Sequence, residues 1–407
     1  LIEDRDTLHF FVKSNPNIKL LVPVWSSHRA HEFGTHISFL YYRTDSEDGI
    51  INFNHIDANG LPQFPIEKLC NENTLVLGNR YIQSKGLDYE WVYFEEYGKP
   101  FIFNEFAESL YKGYRNDYTE MNDCIPLMKW YELLKAIPDI QNRRSWYRTY
   151  SDSIKILGRL EGAGVKVEEE KFIDRFPQAT KQLINTTLYT QYNPYTITSR
   201  PSNRFGGINF GALNKKDGTR EVFIPKENHI FLQMDFDAYH PRIIGKLINY
   251  DLPKTSVHQW LAEQYGCSYE ESKGITFQLL YGGIPDEFDE IPYYRGVREF
   301  IDKLWLKSTE SGYLQTQCRR IPLEWIEGNN PQKLFNYLLQ ATETEFNIEV
   351  MDKLKKEGLP LPILYTYDSF LFEFDNSEVE TIKKIKTVLE SYGFPVKADW
   401  GNDYGGV

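Results

Sequence analysis

Hydrophobic positions in this chain fall into short blocks whose period changes along its length. Ile18–Trp25 (IKLLVPVW) and Ile37–Tyr42 (ISFLYY) are near-continuous apolar runs of strand length, and they predict buried strands. Asp/Gly-rich turns follow, and TLVLG from Thr74 predicts a further strand, so the chain opens with an α/β unit. From Tyr131 the pattern becomes helical, and the charged pair Arg143–Arg144 offers a junction near residue 148, dividing the chain into 1–148 and 149–407. Ile154, Leu157 and Leu160 recur at helical spacing until Gly162 and Gly164 stop the helix, and Val165–Val167 starts an extended segment. The remainder alternates strands with helices.

Three of these later elements carry chemistry. Residues 230–237 (IFLQMDFD) predict a buried strand ending in Asp235 and Asp237, and acid at the end of an apolar strand is costly unless a cation or a donor meets it. Residues 361–374 (LPILYTYDSFLFEF) predict a hairpin with Asp368 and Ser369 at its turn. Either aspartate alone reads more readily as a turn residue capping backbone amides. Between them, Lys273, Phe277 and Tyr281 recur every four residues along one helix face, which Gly282 and Gly283 terminate. That face offers a cation for phosphate and two rings for a sugar or base, or else it is the edge of an amphipathic core helix. Asn336 and Gln340 set two amides four apart on another helix, suited to base edges or backbone, or to plain surface.

Composition narrows the class. The chain has 407 residues, 41% hydrophobic and 15% aromatic, enough for more than one core. Its apolar runs are too short to span a bilayer and the first thirty residues lack a signal-peptide pattern, so a soluble cytoplasmic protein with no membrane partner is expected. Cys70, Cys124, Cys267 and Cys318 are scattered without zinc-ligand or disulfide spacing. A net charge of −12 argues mildly against nucleic acid, but Arg200, Arg204, Lys215, Lys216, Arg220 and Lys226 form a local basic strip.

Taken in order, these pieces resemble the family of bacterial DNA polymerase I. MDFDAYHPR (Met234–Arg242) resembles the motif that opens with the first metal-binding aspartate, SKGITFQLLYGG (Ser272–Gly283) the fingers-helix motif, and YDSF (Tyr367–Phe370) the last motif, with Tyr-Asp-Ser where His-Asp-Glu is usual. ILGRLEGAGVKV (Ile156–Val167), TSRPS around Arg200, SVHQWLA around His258, and Asn336 with Gln340 extend the resemblance over roughly residues 150–407. It implies an α/β and α+β multidomain protein: a ribonuclease H-like, exonuclease-type N-terminal domain (1–148) and a right-hand polymerase domain, with palm 149–245 and 355–407 and fingers 246–354. The implied activity is template-directed extension of a primer 3′-hydroxyl with deoxynucleoside triphosphates, using two magnesium ions, or manganese, on Asp235, Asp368 and the Phe236 carbonyl. Lys273 is the implied catalytic lysine and triphosphate ligand; His240, Phe277, Tyr281 and His258 line the nucleotide site; Arg200, Arg242, Asn336 and Gln340 contact primer-template DNA. A processivity or replisome protein is a further expected partner, and the chain's brevity suggests a phage origin.

The sequence departs from this family at four places. His240 stands where the family has the glutamate that blocks a 2′-hydroxyl and bonds the fingers tyrosine. Tyr269 replaces an arginine four residues before Lys273, so triphosphate binding is expected to be weaker or to draw on another segment. Ser369 replaces the last acid, leaving Asp237 or water to complete the metal shell. The interval from Val167 to Arg200 is too short for the usual helical thumb. In the N-terminal domain Ile18–Ser27 contains no acid, and Gln83 occupies the position of a second nuclease aspartate, so a degenerate exonuclease is expected. Two other readings stay open: an inactive polymerase-like DNA-binding accessory protein, and a polymerase of relaxed sugar selection that makes RNA or primers.

Overall fold

The computed structural model describes residues 1–14, 16–26, 36–78, 86–110, 125–140, 155–203, 208–375 and 377–407. Gln83, Arg143, Arg144, Ile154, Arg204, Cys124 and the junction expected near residue 148 lie outside the described residues. The chain divides into two units. The first comprises Leu1–Gly164, Phe172–Tyr195 and Arg204–Ile208, the second Val165–Lys171, Thr196–Asn203 and Asn209–Val407.

In the first unit a mixed five-stranded sheet has the order β3-β2-β1-β4-β5, with β1 Leu20–Trp25, β2 Ile37–Arg43, β3 Asp48–Asn52, β4 Leu75–Val76 and β5 Leu87–Asp88. β1, β2 and β3 pair antiparallel; β4 joins β1, and β5 joins β4, in parallel. The unbroken apolar run of β1 follows from its central position, where both faces of the strand are covered. Helix α1 (Arg5–Lys13), capped by Asp4 accepting from the Thr7 amide at 2.8 Å, turns Leu8 and Phe11 into the core formed by Leu21, Leu40 and Ile51. The unit also holds helices α2 (Tyr89–Tyr97), α3 (Phe103–Leu110), α4 (Leu127–Lys135) and α5 (Ile156–Glu161). Arg43 closes the end of α4 by donating to the carbonyls of Lys135 (2.8 Å) and Ile137 (2.9 Å).

Between Val167 and Arg200 the chain makes only the seven-residue helix α6 (Glu169–Arg175), a 3₁₀ turn and short extended pieces. Strand β6 (Val165–Val167) pairs antiparallel with β7 (Phe223–Ile224) in the second unit.

The second unit is built on a four-stranded antiparallel sheet. β8 (His229–Phe236) lies between β12 (Ser369–Asp375) and β13 (Val396–Gly401), and β11 (Leu364–Thr366) flanks β12. The predicted strand at 230–237 and the predicted hairpin at 361–374 are thus neighbours. Helices α7 (Tyr239–Leu247), α8 (Val257–Tyr265), α9 (Tyr269–Gly282), α10 (Pro292–Ser311), α11 (Pro331–Lys356) and α12 (Val379–Glu390) follow in chain order, with the short hairpin β9 (Tyr313–Gln315) and β10 (Arg320–Pro322) between α10 and α11. The α9 helix begins in a full capping box, Ser268 with Glu271, and ends at Gly283, as its glycines predict. Among the described residues no helix is long and apolar enough to cross a membrane.

The 26-residue α11 is the central helix of this unit, and its buried stretch includes Thr342, Glu343, Thr344, Glu345 and Asn347. Buried polar groups on this scale must be satisfied internally. Asn347 accepts from the Tyr239 hydroxyl at 2.9 Å and donates to the Tyr367 carbonyl at 2.6 Å; Glu345 accepts from the Thr316 hydroxyl at 2.5 Å and the Gln317 amide at 3.0 Å. This polar spine ties α11 to α7, to the turn before β12 and to the β9–β10 hairpin.

Candidate active site

Strand pairing decides where the two aspartates meet. Asp235 is opposite Ser369 in the β8–β12 ladder, so Asp368, one residue earlier in the two-residue turn, lies beside it. Both turns pass through the left-handed region at residues other than glycine: Ala238 at φ 49°, capping α7, and Tyr367 at φ 59°. Such conformations persist only where the surroundings enforce them. At Tyr367 the enforcement is visible: the Arg200 guanidinium lies 3.9 Å from the ring centroid, and a Cβ on Gly211 would meet the ring at 2.7 Å, so only glycine fits beneath it. The Gln233 amide donates to Asp235 Oδ2 at 2.8 Å and orients that carboxylate.

These residues line one cleft of about 540 Å³, together with Lys273, Phe277 and Tyr281 from α9, His258 from α8, His240 from α7, Glu343 from α11 and Lys397 from β13. Phe277 and Tyr281 stack at 5.9 Å with an interplanar angle of 10°, presenting the predicted aromatic face. Lys273 sits above the Tyr269 ring at 4.4 Å and 3.4 Å from Glu270. The cleft crowds its acids: Asp368 is pushed up to about 6, first by loss of hydration among the surrounding protein atoms and then by the charges of Glu343 and Asp235. Its carboxyl nevertheless opens to the cleft, since the residue is exposed there. Burial, then the Lys273 charge, lowers the His258 imidazole. Burial and then the Glu343 charge raise the Tyr281 phenol.

Sequence reasoning missed Glu343, although α11 carries its signal. Asn336, Gln340, Glu343 and Asn347 follow at spacings of four, three and four and so share one helix face. Glu343 is 1% exposed at its side chain, 3.3 Å from Arg200 Nε and 2.9 Å from His240 Nε2, while His240 Nδ1 bonds the Tyr281 hydroxyl. Lys397 was also missed. It pairs with Asp237 and brings an exposed cation from the last strand into the same cleft as Tyr269 and Lys273.

Several of the residues expected at DNA or metal have partners within the protein. Arg242, expected at DNA, is buried; it donates to the carbonyls of Asp237 (2.9 Å), Pro253 (3.0 Å) and Thr255 (2.9 Å), and so locks the start of α7. Asp237, considered as a further metal ligand, gives its carboxylate to Arg242 and Lys397. Asn336 donates to the Tyr281 carbonyl at 3.1 Å and Gln340 accepts from the Thr198 hydroxyl at 3.5 Å, so both amides also brace the cleft walls. The basic strip does not stay together: Arg200, Lys215 and Arg220 line the cleft, Arg220 largely buried over the Tyr404 ring at 4.5 Å, while Lys226 pairs with Glu373 at 2.6 Å. His240 is a residue of the first turn of α7, not of a strand; Pro241 beside it is tolerated because first-turn amides lack helical partners.

No protein-family model and no curated protein sequence matches the chain. Among solved structures it resembles the POL domain of Pol1 from M. smegmatis, in complex with DNA primer-template and dNTP, with a TM-score of 0.66 and 13% identity over 100% of this chain and 99% of that one. The chain therefore has the fold of a DNA polymerase I-like polymerase domain.

Proposed function

We propose that this chain is a template-directed DNA polymerase that extends a primer 3′-hydroxyl with deoxynucleoside triphosphates. The observation that carries the reading is the convergence of Asp235 and Asp368, through strand pairing, on a cleft shared with Lys273 and Tyr281 of α9. The likeness of fold to a domain solved with primer-template and dNTP supports it.

Among the described residues no group of three or more His, Cys, Asp or Glu is gathered as a metal site. Yet the lost hydration, and after it the crowding by Glu343 and Asp235, that raise Asp368 are what a hard cation relieves, and paired carboxylate oxygens suit magnesium or manganese. Asp235, Asp368 and the Phe236 carbonyl would hold the ions, which when bound acidify the primer hydroxyl and neutralise charge on the triphosphate. The chain's own groups do the rest. Gln233 fixes Asp235, and Lys273 and Lys397 attract the triphosphate, Lys397 offsetting the arginine missing at Tyr269. The rings of Phe277 and Tyr281 receive the base, His258 backs Phe277 with ring centroids 6.5 Å apart, and Arg200, stacked on Tyr367, steers the primer-template. With only α6 between Val167 and Arg200, the thumb is reduced and a processivity partner has a role to fill. The mixed sheet of the first unit suits a ribonuclease H-like domain without nuclease acids on β1.

Primer extension with magnesium tests the proposal. Wild type should extend, while Asp235→Asn and Asp368→Asn should each lose at least about a thousandfold in kcat, on the scale of removed transition-state electrostatics. Full activity in either variant, with folding checked by circular dichroism, would refute it.

A further inference from the structure

We propose that Glu343 is the positioning residue of a sugar gate, acting through His240 on Tyr281. This rests on the polymerase reading and adds what that reading lacks, a physical account of how histidine can guard the nucleotide sugar.

The sugar of a bound nucleotide lies between its base and its phosphates. In this cleft the base side is the Phe277–Tyr281 face and the phosphate side is the Asp235–Asp368 pair, and His240 lines the same cleft, bonded to Tyr281. What His240 can offer a sugar depends on its hydrogens. Glu343 is enclosed by protein, and an isolated carboxylate there would be prohibitively costly. It stays ionised because, against the effect of burial, the His240 bond and the Arg200 charge hold it below the usual glutamate value. An ionised carboxylate only accepts, so at 2.9 Å it requires hydrogen on His240 Nε2. In the neutral ring Nδ1 is then bare and accepts from the Tyr281 hydroxyl. The order Arg200 to Glu343, His240 to Glu343, Tyr281 to His240 gives Glu343 its cation and both ring nitrogens of His240 a partner.

A ring held this way has neither a spare donor nor a spare acceptor for a 2′-hydroxyl. A ribonucleotide must either break the Tyr281–His240 bond or bury an unpaired hydroxyl, while a deoxyribonucleotide leaves the chain intact. Without Glu343 the imidazole is free to turn over and exchange its nitrogens, and the wall yields.

The test uses the full chain and measures kcat/KM for matched deoxy- and ribonucleoside triphosphates on one primer-template. Glu343→Ala should lower the deoxy-to-ribo ratio by at least about tenfold, equivalent to ~1.4 kcal/mol. Glu343→Gln, which keeps an acceptor for Nε2, should retain most of the preference. The double variant Glu343→Ala/His240→Ala should be no less selective than His240→Ala alone, because one residue acts through the other. A Glu343→Ala ratio equal to wild type, including one in which kcat changes equally for both sugars, or additive losses in the double variant, would overturn the gate. Nitrogen-15 spectra of wild type, assigned with His240→Gln, give a readout free of turnover: hydrogen on Nε2 and a bare Nδ1 at neutral pH support the chain, and the opposite tautomer sinks it even if a variant fails to fold. Absence of any extension by wild type would instead refute the polymerase reading, and the gate with it.

Discussion

Replacing the carboxyl of Asp368 by an amide should abolish catalysis and yet make the metal-free protein more stable. Asp368 is raised from 3.8 to about 6 by dehydration, then by Glu343 and Asp235. A shift of about two units corresponds to about 3 kcal/mol for a fully enclosed group. Asp368 opens to cleft water, and screening reduces this to about 1–1.5 kcal/mol. The sign follows from the proton count. Below 3.8 the carboxyl is protonated whether folded or unfolded; between 3.8 and about 6 the folded chain keeps a proton that the unfolded chain releases; above about 6 the fold carries a crowded negative charge at full cost. Stability contributed at this position therefore falls as pH rises through that window, and Asp368→Asn removes the fall. Thermal melts in chelator at pH 8 should show the variant melting about 2–6 °C above wild type, and the gain should vanish near pH 4. Magnesium should raise the wild-type melting temperature and leave the variant nearly unmoved. A variant less stable than wild type at pH 8, or a gain that persists undiminished at pH 4, would refute the reasoning.

Lys397→Ala should raise KM for the deoxynucleotide about tenfold with little change in kcat, the loss expected for one charge-assisted contact; steady-state kinetics at saturating primer-template decides it, and an unchanged KM would remove Lys397 from the triphosphate site. Arg242→Ala should destabilise the fold by about 3 kcal/mol, because it strips one partner from buried Asp237 and frees three backbone carbonyls, as urea unfolding would report. Asp235→Asn protein should release no nucleotides from single-stranded DNA with magnesium or manganese; degradation that survives the substitution would locate a nuclease in the first unit.

What the sequence made legible was what local period encodes. An apolar strand ending in Asp235, a hairpin with Asp368 in its turn, and cation and rings every four residues from Lys273 each specify one face of one element, and the structure brings them together in one cleft. A strong local signal lay at the end of an element, where glycines act within a few residues, as at Gly283. The basic strip misled because proximity in a loop does not fix direction: Arg220 turns onto Tyr404 and Lys226 onto Glu373, while Arg200 reaches Glu343. Glu343 was hidden because α11 is buried on most sides and so lacks a polar-apolar period; ATETEFN reads as solvent-facing. Extending the Asn336–Gln340 stripe by three residues would have reached it.

The departures from the family pattern are coupled through this hidden helix. A histidine at position 240 brings no fixed charge and two interchangeable nitrogens, so by itself it is a poor substitute for a carboxylate beside Tyr281. On the proposed reading, Glu343 supplies the missing charge from a different element, one ring farther from the sugar, and Arg200 neutralises it. The same Arg200 stacks on Tyr367, which stands where the family has histidine and leads directly into Asp368. Removal of Glu343 would therefore be felt at two places, as a freed imidazole at the sugar and as an arginine with one partner fewer at the acids. Only the first of these distinguishes ribose from deoxyribose, and this is why the ratio of the two substrates, rather than the rate on either, isolates what Glu343 does.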